Sequence, residues 1–136
     1  MLSIYKASAG SGKTFALTQE YLRMMFTDKT HGDTRLPHSR ILAVTFTKKS
    51  TAEMKERIMR ELYILSTKPC ESDYIKDFLE DENIGLDIDG IKQRAQELLI
   101  GILQNYNRFS VSTIDGFFQQ VLRTFARELG LSTNYD

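Results

Sequence analysis

Ala7-Ser8-Ala9-Gly10-Ser11-Gly12-Lys13-Thr14 joins a short apolar run, Leu2 to Ala7, to a segment in which Phe15, Ala16, Leu17, Tyr21, Leu22 and Met25 repeat at helical spacing. The order is strand, glycine-rich loop, helix, the context that separates a phosphate-binding loop from a chance string. A triphosphate needs backbone N–H groups aimed at its oxygens, a mobile positive charge and a hydroxyl for Mg²⁺. Gly10 and Gly12 let the backbone approach closely, Lys13 supplies the charge and Thr14 the hydroxyl. The helix that opens here directs the positive end of its dipole at the anion. Ala7 to Thr14 are therefore the candidate residues for Mg·ATP. Ala7 stands where the usual pattern has its first glycine, and an incidental Gly/Ser turn is the competing reading.

Beyond this unit, residues 28–39 collect Asp, Thr, His, Gly and Pro without periodicity and read as a surface loop, with His31 and His38 in no catalytic company. Arg40 to Thr47 is a nearly continuous apolar run of strand length, suited to a parallel strand covered on both faces. A helix follows, with Met54, Ile58, Leu62 and Leu65 on one stripe and Lys55, Glu56, Arg57 and Glu61 mostly off it. Pro69 ends it. Residues 71–89 set Asp and Glu around Tyr74, Ile75, Phe78 and Leu79, a solvated helical face. Ile88, Ile91, Ala95, Leu98, Leu99 and Ile102 then predict another helix, so that residues 66–108 form a helical excursion. Arg108 to Thr113 returns to strand character. Ser112 offers an N-cap to a last helix carrying Ile114, Phe117, Phe118, Val121, Leu122, Phe125 and Leu129. Alternating strands and helices predict an α/β layer with a parallel sheet, whose ligands bind beyond the carboxyl ends of the strands.

The second strand end, Thr45-Phe46-Thr47-Lys48-Lys49, has the parts of a single-strand binding surface: an aromatic ring to stack on a base, and hydroxyls and lysines for phosphates. A buried Phe46 beside a solvated lysine pair is the alternative.

Lys plus Arg balance Asp plus Glu at 18 each, so no global field recruits nucleic acid, and a polyanion site must be local. Cys70 is the single cysteine, and no Cys/His cluster has metal-site spacing. No signal peptide is visible and no stretch approaches the roughly 20 apolar residues that span a bilayer, which leads to the expectation of a cytoplasmic protein without a membrane partner.

Three segments in order, Ala7 to Thr14, Ala43 to Lys49 continuing through Ala52 to Ile58, and Ser112-Thr113-Ile114-Asp115-Gly116-Phe117, resemble motifs I, Ia and Ib of the UvrD/RecB-like superfamily 1 DNA helicases. The Ala-Ser-Ala-Gly start and the helical excursion before Ser112 resemble the RecB and AddA helicase-nuclease branch. The resemblance implies a RecA-like P-loop NTPase fold, a parallel sheet flanked by helices with residues 66–108 inserted, and a role in recombination and double-strand-break repair. It makes Lys13 the catalytic candidate, neutralising phosphate charge, and Thr14 the Mg²⁺ ligand. Phe46, Thr47, Lys48, Lys49, Thr113 and Gly116 become the DNA-binding candidates, for single-stranded or duplex-end DNA. A nuclease partner subunit belongs to the same picture.

Asp115 departs from the family, where many members carry histidine. It stands three residues after Ser112 and could complete a capping box there. Phosphoryl transfer also needs an acid to position Mg²⁺ and water, and no strand ending in paired acids follows Thr113. The expectation is that residues 1–136 are the N-terminal part of a longer ATP-binding domain, binding nucleotide but hydrolysing it poorly alone. A small P-loop kinase, with residues 66–108 as its lid, and a non-catalytic nucleotide-binding module are the other classes compatible with the residues.

Overall fold

Apolar residues three and four apart build the first helix, α1 (Ser11–Thr27), in the computed structural model, which describes residues 11–28, 37–39 and 41–130. Leu17, Tyr21, Leu22, Met25 and Phe26 form its buried face. The run before it, Leu2 to Gly10, lies outside the described residues, and so does the strand expected there.

Strand β1 (Ala43–Thr45) pairs in parallel with β2 (Val111–Thr113), Ala43 opposite Val111 and Thr45 opposite Thr113. Parallel pairing demands a crossover, and this one contains three helices: α2 (Lys48–Thr67), α3 (Ile75–Glu80) and α4 (Ile88–Gln104). Single 3-10 turns at Pro69–Glu71 and Tyr106–Arg108 punctuate it. After β2 the chain turns directly into α5 (Ile114–Glu128). The described part is thus mostly helical, with a two-stranded parallel sheet among the described residues.

The core lies between α2 and α4, the most extensively packed pair. Met54, Ile58, Leu62 and Leu65 of α2 meet Ile91, Ala95, Leu98 and Ile102 of α4, all at most 1% exposed. The helical segment 66–108 is therefore structurally central rather than appended. Between α3 and α4 the chain reverses at Gly85, whose φ of +62° suits a residue without Cβ, and Asp87 caps α4 by accepting the Gly90 N–H at 2.7 Å.

Several expectations need correction. Both strands are shorter than the apolar runs suggested: Ile41 and Leu42 precede β1 without joining it, Phe46 bends away, and Thr47 is already the N-cap of α2; Arg40 lies outside the described residues. Arg108 belongs to a 3-10 turn closed by the Phe109 N–H on the Tyr106 carbonyl at 3.0 Å. His38 is no surface-loop residue; it is fully buried, its Nε2 3.1 Å from the Asn105 carbonyl and its ring edge-on to Phe109. Glu61 is buried too, and Ser72 Oγ compensates its carboxylate by donating to it at 3.0 Å. Ile88, counted on the α4 stripe, opens the helix and is exposed.

The largest difference concerns α5. Its apolar stripe is the most amphipathic pattern in the described chain, yet Phe118, Val121, Leu122, Phe125 and Leu129 are 46–59% exposed, and Ala126 is its one buried residue. No described helix is long and apolar enough to cross a membrane.

Candidate functional site

Three segments carry the candidate chemistry, and they reach the structure to different degrees. Of the phosphate-loop candidates, Ala7, Ser8, Ala9 and Gly10 lie outside the described residues, while Ser11, Gly12, Lys13 and Thr14 form the first turn of α1. That turn contains no acidic residue, so the unpaired N–H groups at the helix start face no carboxylate of their own turn. A hydroxyl at Thr14, a lysine beside it and a helix N-terminus are the chemistry that a magnesium-bound triphosphate requires.

The other two segments are brought together. Because β1 and β2 are parallel and Thr45 stands opposite Thr113, Phe46 to Lys49 and Thr113 to Gly116 leave the sheet at the same end, each passing into a helix. The two exits have the same local construction. Thr47 caps α2 by accepting the Ser50 N–H at 3.0 Å, and Thr113 caps α5 by accepting the Gly116 N–H at 3.1 Å. At Gly116 a Cβ would come within 3.2 Å of the Thr113 hydroxyl oxygen, so glycine suits the tight cap. Thr45 supports the first exit from below, its hydroxyl 2.6 Å from that of Thr51.

Phe46 stands at this end with 54% of its surface exposed, which removes the buried-core reading of that ring. Lys48 and Lys49 are exposed in the first turn of α2. Two lysines at the positive end of a helix dipole are locally unfavourable, by about 0.3–1 kcal/mol each. Neither is offset by an ion pair with a described residue. Two adjacent helix N-termini, two lysines and an exposed ring thus make a local positive, aromatic surface on a chain of zero net charge.

Asp115 is not the partner of a Ser112 cap. Thr113 is the cap, one residue later than expected, and Asp115 occupies the second position of α5, exposed, where its charge suits the helix dipole. Ser112 instead has a buried hydroxyl without a hydrogen-bond partner among the described residues. It lines a groove of about 590 Å³ between β2 and α5, with Leu42, Val111, Phe117, Val121 and Phe125. Among the described residues no group of three or more His, Cys, Asp or Glu could hold a metal ion.

Sequence reasoning missed a polar relay on the other side of α2. Ser72 Oγ donates to Glu61 and accepts the Tyr74 N–H at 3.2 Å, and the Tyr74 hydroxyl donates to the Phe15 carbonyl at 3.2 Å. Burial pushes the Tyr74 phenol up to about 12, with the Glu61 charge adding to the effect and Arg57 opposing it. The spacing of these four residues follows no local period, so nothing in the sequence marks them as a group.

The UvrD/REP helicase N-terminal domain family matches residues 3–136. Similar curated proteins include the RecBCD enzyme subunit RecB of Escherichia coli, 34% identical over 135 residues, covering 94% of this chain and 11% of the relative. The A subunit of the ATP-dependent helicase/nuclease of Bacillus pumilus is 35% identical over 129 residues, covering 95% of this chain and 8% of the relative. RecB of Haemophilus influenzae is 29% identical over 140 residues, covering 99% and 12%. The chain therefore spans about a tenth of the length of these relatives. No solved structure matches it at a significant level. With a match along nearly its whole length, the chain belongs to the UvrD/REP helicase N-terminal domain family.

Proposed function

We propose that this chain is the ATP-binding N-terminal part of an ATP-dependent DNA helicase or helicase-nuclease acting in recombination and double-strand-break repair. Family membership, and relatives named as RecB and as the A subunit of an ATP-dependent helicase/nuclease, support the reading. In it, residues 1–136 are part of a RecA-like motor domain, with residues 66–108 inserted between its two DNA-facing segments. Ala7 to Thr14 hold the triphosphate, Lys13 neutralises phosphate charge and Thr14 holds Mg²⁺. Bound Mg·ATP would supply the transferable phosphoryl group; the chain's part is to bind and orient it. A cytoplasmic setting and a nuclease activity, on the same polypeptide or on a partner subunit, belong to the proposal.

The observation that carries the DNA part is the parallel register that sets the two capped strand exits side by side. Phe46 stacks on a base, Lys48 and Lys49 meet backbone phosphates, and Thr113 and Gly116 present the second helix N-terminus to the same strand. Stacking without base-edge hydrogen bonds gives attachment without sequence preference, as a translocating motor requires.

Fluorescence anisotropy with a labelled single-stranded oligonucleotide tests this. Phe46→Ala should weaken binding by about 1–3 kcal/mol, the worth of one stacked base, and leave nucleotide affinity unchanged. The double change Lys48→Ala with Lys49→Ala should flatten the salt dependence by roughly 0.7 in log–log slope for each phosphate that is no longer neutralised. Binding indifferent to all three side chains would remove this surface from the DNA path.

A further inference from the structure

The outer face of α1 is held along three successive turns by the segment around α3. Phe15, Gln19 and Arg23 follow one another at intervals of four and so share one face of the helix. Each has a partner on the crossover. The Phe15 ring stacks on Tyr74 with centroids 4.5 Å apart, Gln19 Nε2 donates to Asp77 at 2.7 Å, and the Arg23 guanidinium lies 3.6 Å from the Asp81 carboxylate.

The first rung differs from the others in burial and position. Gln19–Asp77 lies at the surface, where such interactions contribute little, and Arg23–Asp81 is half-buried but 3.6 Å long, with Arg23 shared with Glu20 at 2.8 Å. Tyr74 is 1% exposed and engages one residue in two ways: its ring covers that of Phe15 and its hydroxyl donates to the Phe15 carbonyl at 3.2 Å. Phe15 directly follows Lys13-Thr14. Tyr74 is in turn fixed from α2, since Ser72 Oγ holds its N–H and Glu61 holds Ser72.

We propose that Tyr74 is a positioning residue for nucleotide binding: its ring and hydroxyl hold Phe15, the residue after Thr14, and so fix the start of the helix that carries Lys13 and Thr14 to a nucleoside triphosphate. The inference rests on the nucleotide-binding reading of Ala7 to Thr14. It gives the crossover segment a role at the nucleotide, although none of the loop residues lies within it. The phenol's raised pKa keeps it protonated, and therefore a donor, throughout the neutral range. Its anchor, Glu61, sits on the helix whose other end carries Lys48 and Lys49, so the start of α1 and the proposed DNA surface are both tied to α2.

The test is titration of the purified chain with a fluorescent ATP analogue, alongside thermal melting and amide hydrogen exchange in the first two turns of α1. Tyr74→Phe keeps the ring and removes the hydroxyl. It should weaken nucleotide affinity by roughly threefold to tenfold, the range one hydrogen bond commands, and speed exchange in the second turn, which holds Phe15. Phe26→Leu, at the opposite end of α1 and against Phe78, should lower the melting temperature and leave affinity unchanged. Lys13→Ala should abolish binding. Tyr74→Phe with unaltered affinity and exchange, while Lys13→Ala abolishes binding, would reduce Tyr74 to a core residue and overturn the inference. An unaltered chain that binds no nucleotide would remove the phosphate-loop reading, and the inference would fall with it.

Discussion

Helices α4 and α5 carry apolar residues at the same intervals of three and four, but in opposite surroundings. In α4, Ile91, Ala95, Leu98 and Ile102 are fully buried against α2; in α5, Phe118, Val121, Leu122, Phe125 and Leu129 are 46–59% exposed. Periodicity states that a helix has an apolar face, because side chains three and four apart lie on one side. It does not state where the covering surface is. For α4 that surface is an equally striped helix within the described chain. For α5 the described chain supplies the edge of the two-stranded sheet, β2 and β1, with a groove left beside it. Exposed apolar patches of this kind mark interaction surfaces.

The sharpest way to break the comparison is to truncate one leucine on each helix. Leu98→Ala in α4 should cost about 2–5 kcal/mol in urea denaturation, since it leaves a cavity in a closed core. Leu122→Ala in α5 should change stability by no more than about 0.5 kcal/mol. Equal losses would mean that α5 is covered in solution.

The buried side of the comparison has a pH signature. Tyr21 and Tyr74 both have phenols raised by burial, Tyr74 to about 12. Their contribution to stability is fully present below the unfolded value near 10 and is lost as pH rises through the folded values. Denaturant midpoints should therefore hold up to about pH 10 and fall steadily toward pH 12, less steeply in Tyr74→Phe. A midpoint flat across that window would contradict the burial of both rings.

Smaller effects separate the two helix starts from the helix faces. Thr47→Ala and Thr113→Ala should each cost about 1 kcal/mol, the usual worth of an N-cap. Ser112→Ala should cost nothing or stabilise slightly, because its buried hydroxyl has no partner among the described residues to lose. Phe125→Ser should likewise change stability by no more than about 0.5 kcal/mol, and its readout is different. Light scattering at high concentration should show less self-association than the unaltered chain.

Helix positions and the buried stripes of α1, α2 and α4 were legible because each is a local, repeating signal. Strand ends were not. Phe46 and Thr47 continue an apolar run in sequence, but Thr47 gives its hydroxyl to the Ser50 N–H and begins the helix instead. The same competition moved the α5 cap from Ser112 to Thr113. Either hydroxyl could cap in principle; Ser112 stands inside the ladder opposite Val44, whereas Thr113 is its last residue, from which α5 starts. Burial of His38 and Glu61 was hidden for another reason. Their partners, Asn105 and Ser72, are 67 and 11 residues away, and no period connects them. Of the candidate site, the three segments and their residue types were legible. That two of them leave the sheet side by side is a property of the parallel register, to which the sequence contributes only the alternation of strands and helices.

Nucleotide binding at Lys13 is where the functional account stands or falls. Calorimetric titration of the chain with Mg·ATP measures it directly, beside Lys13→Ala. The expected result is one saturable site, lost in the variant with the fold retained by circular dichroism. Identical heats from both proteins, or no binding by the unaltered chain, would contradict it.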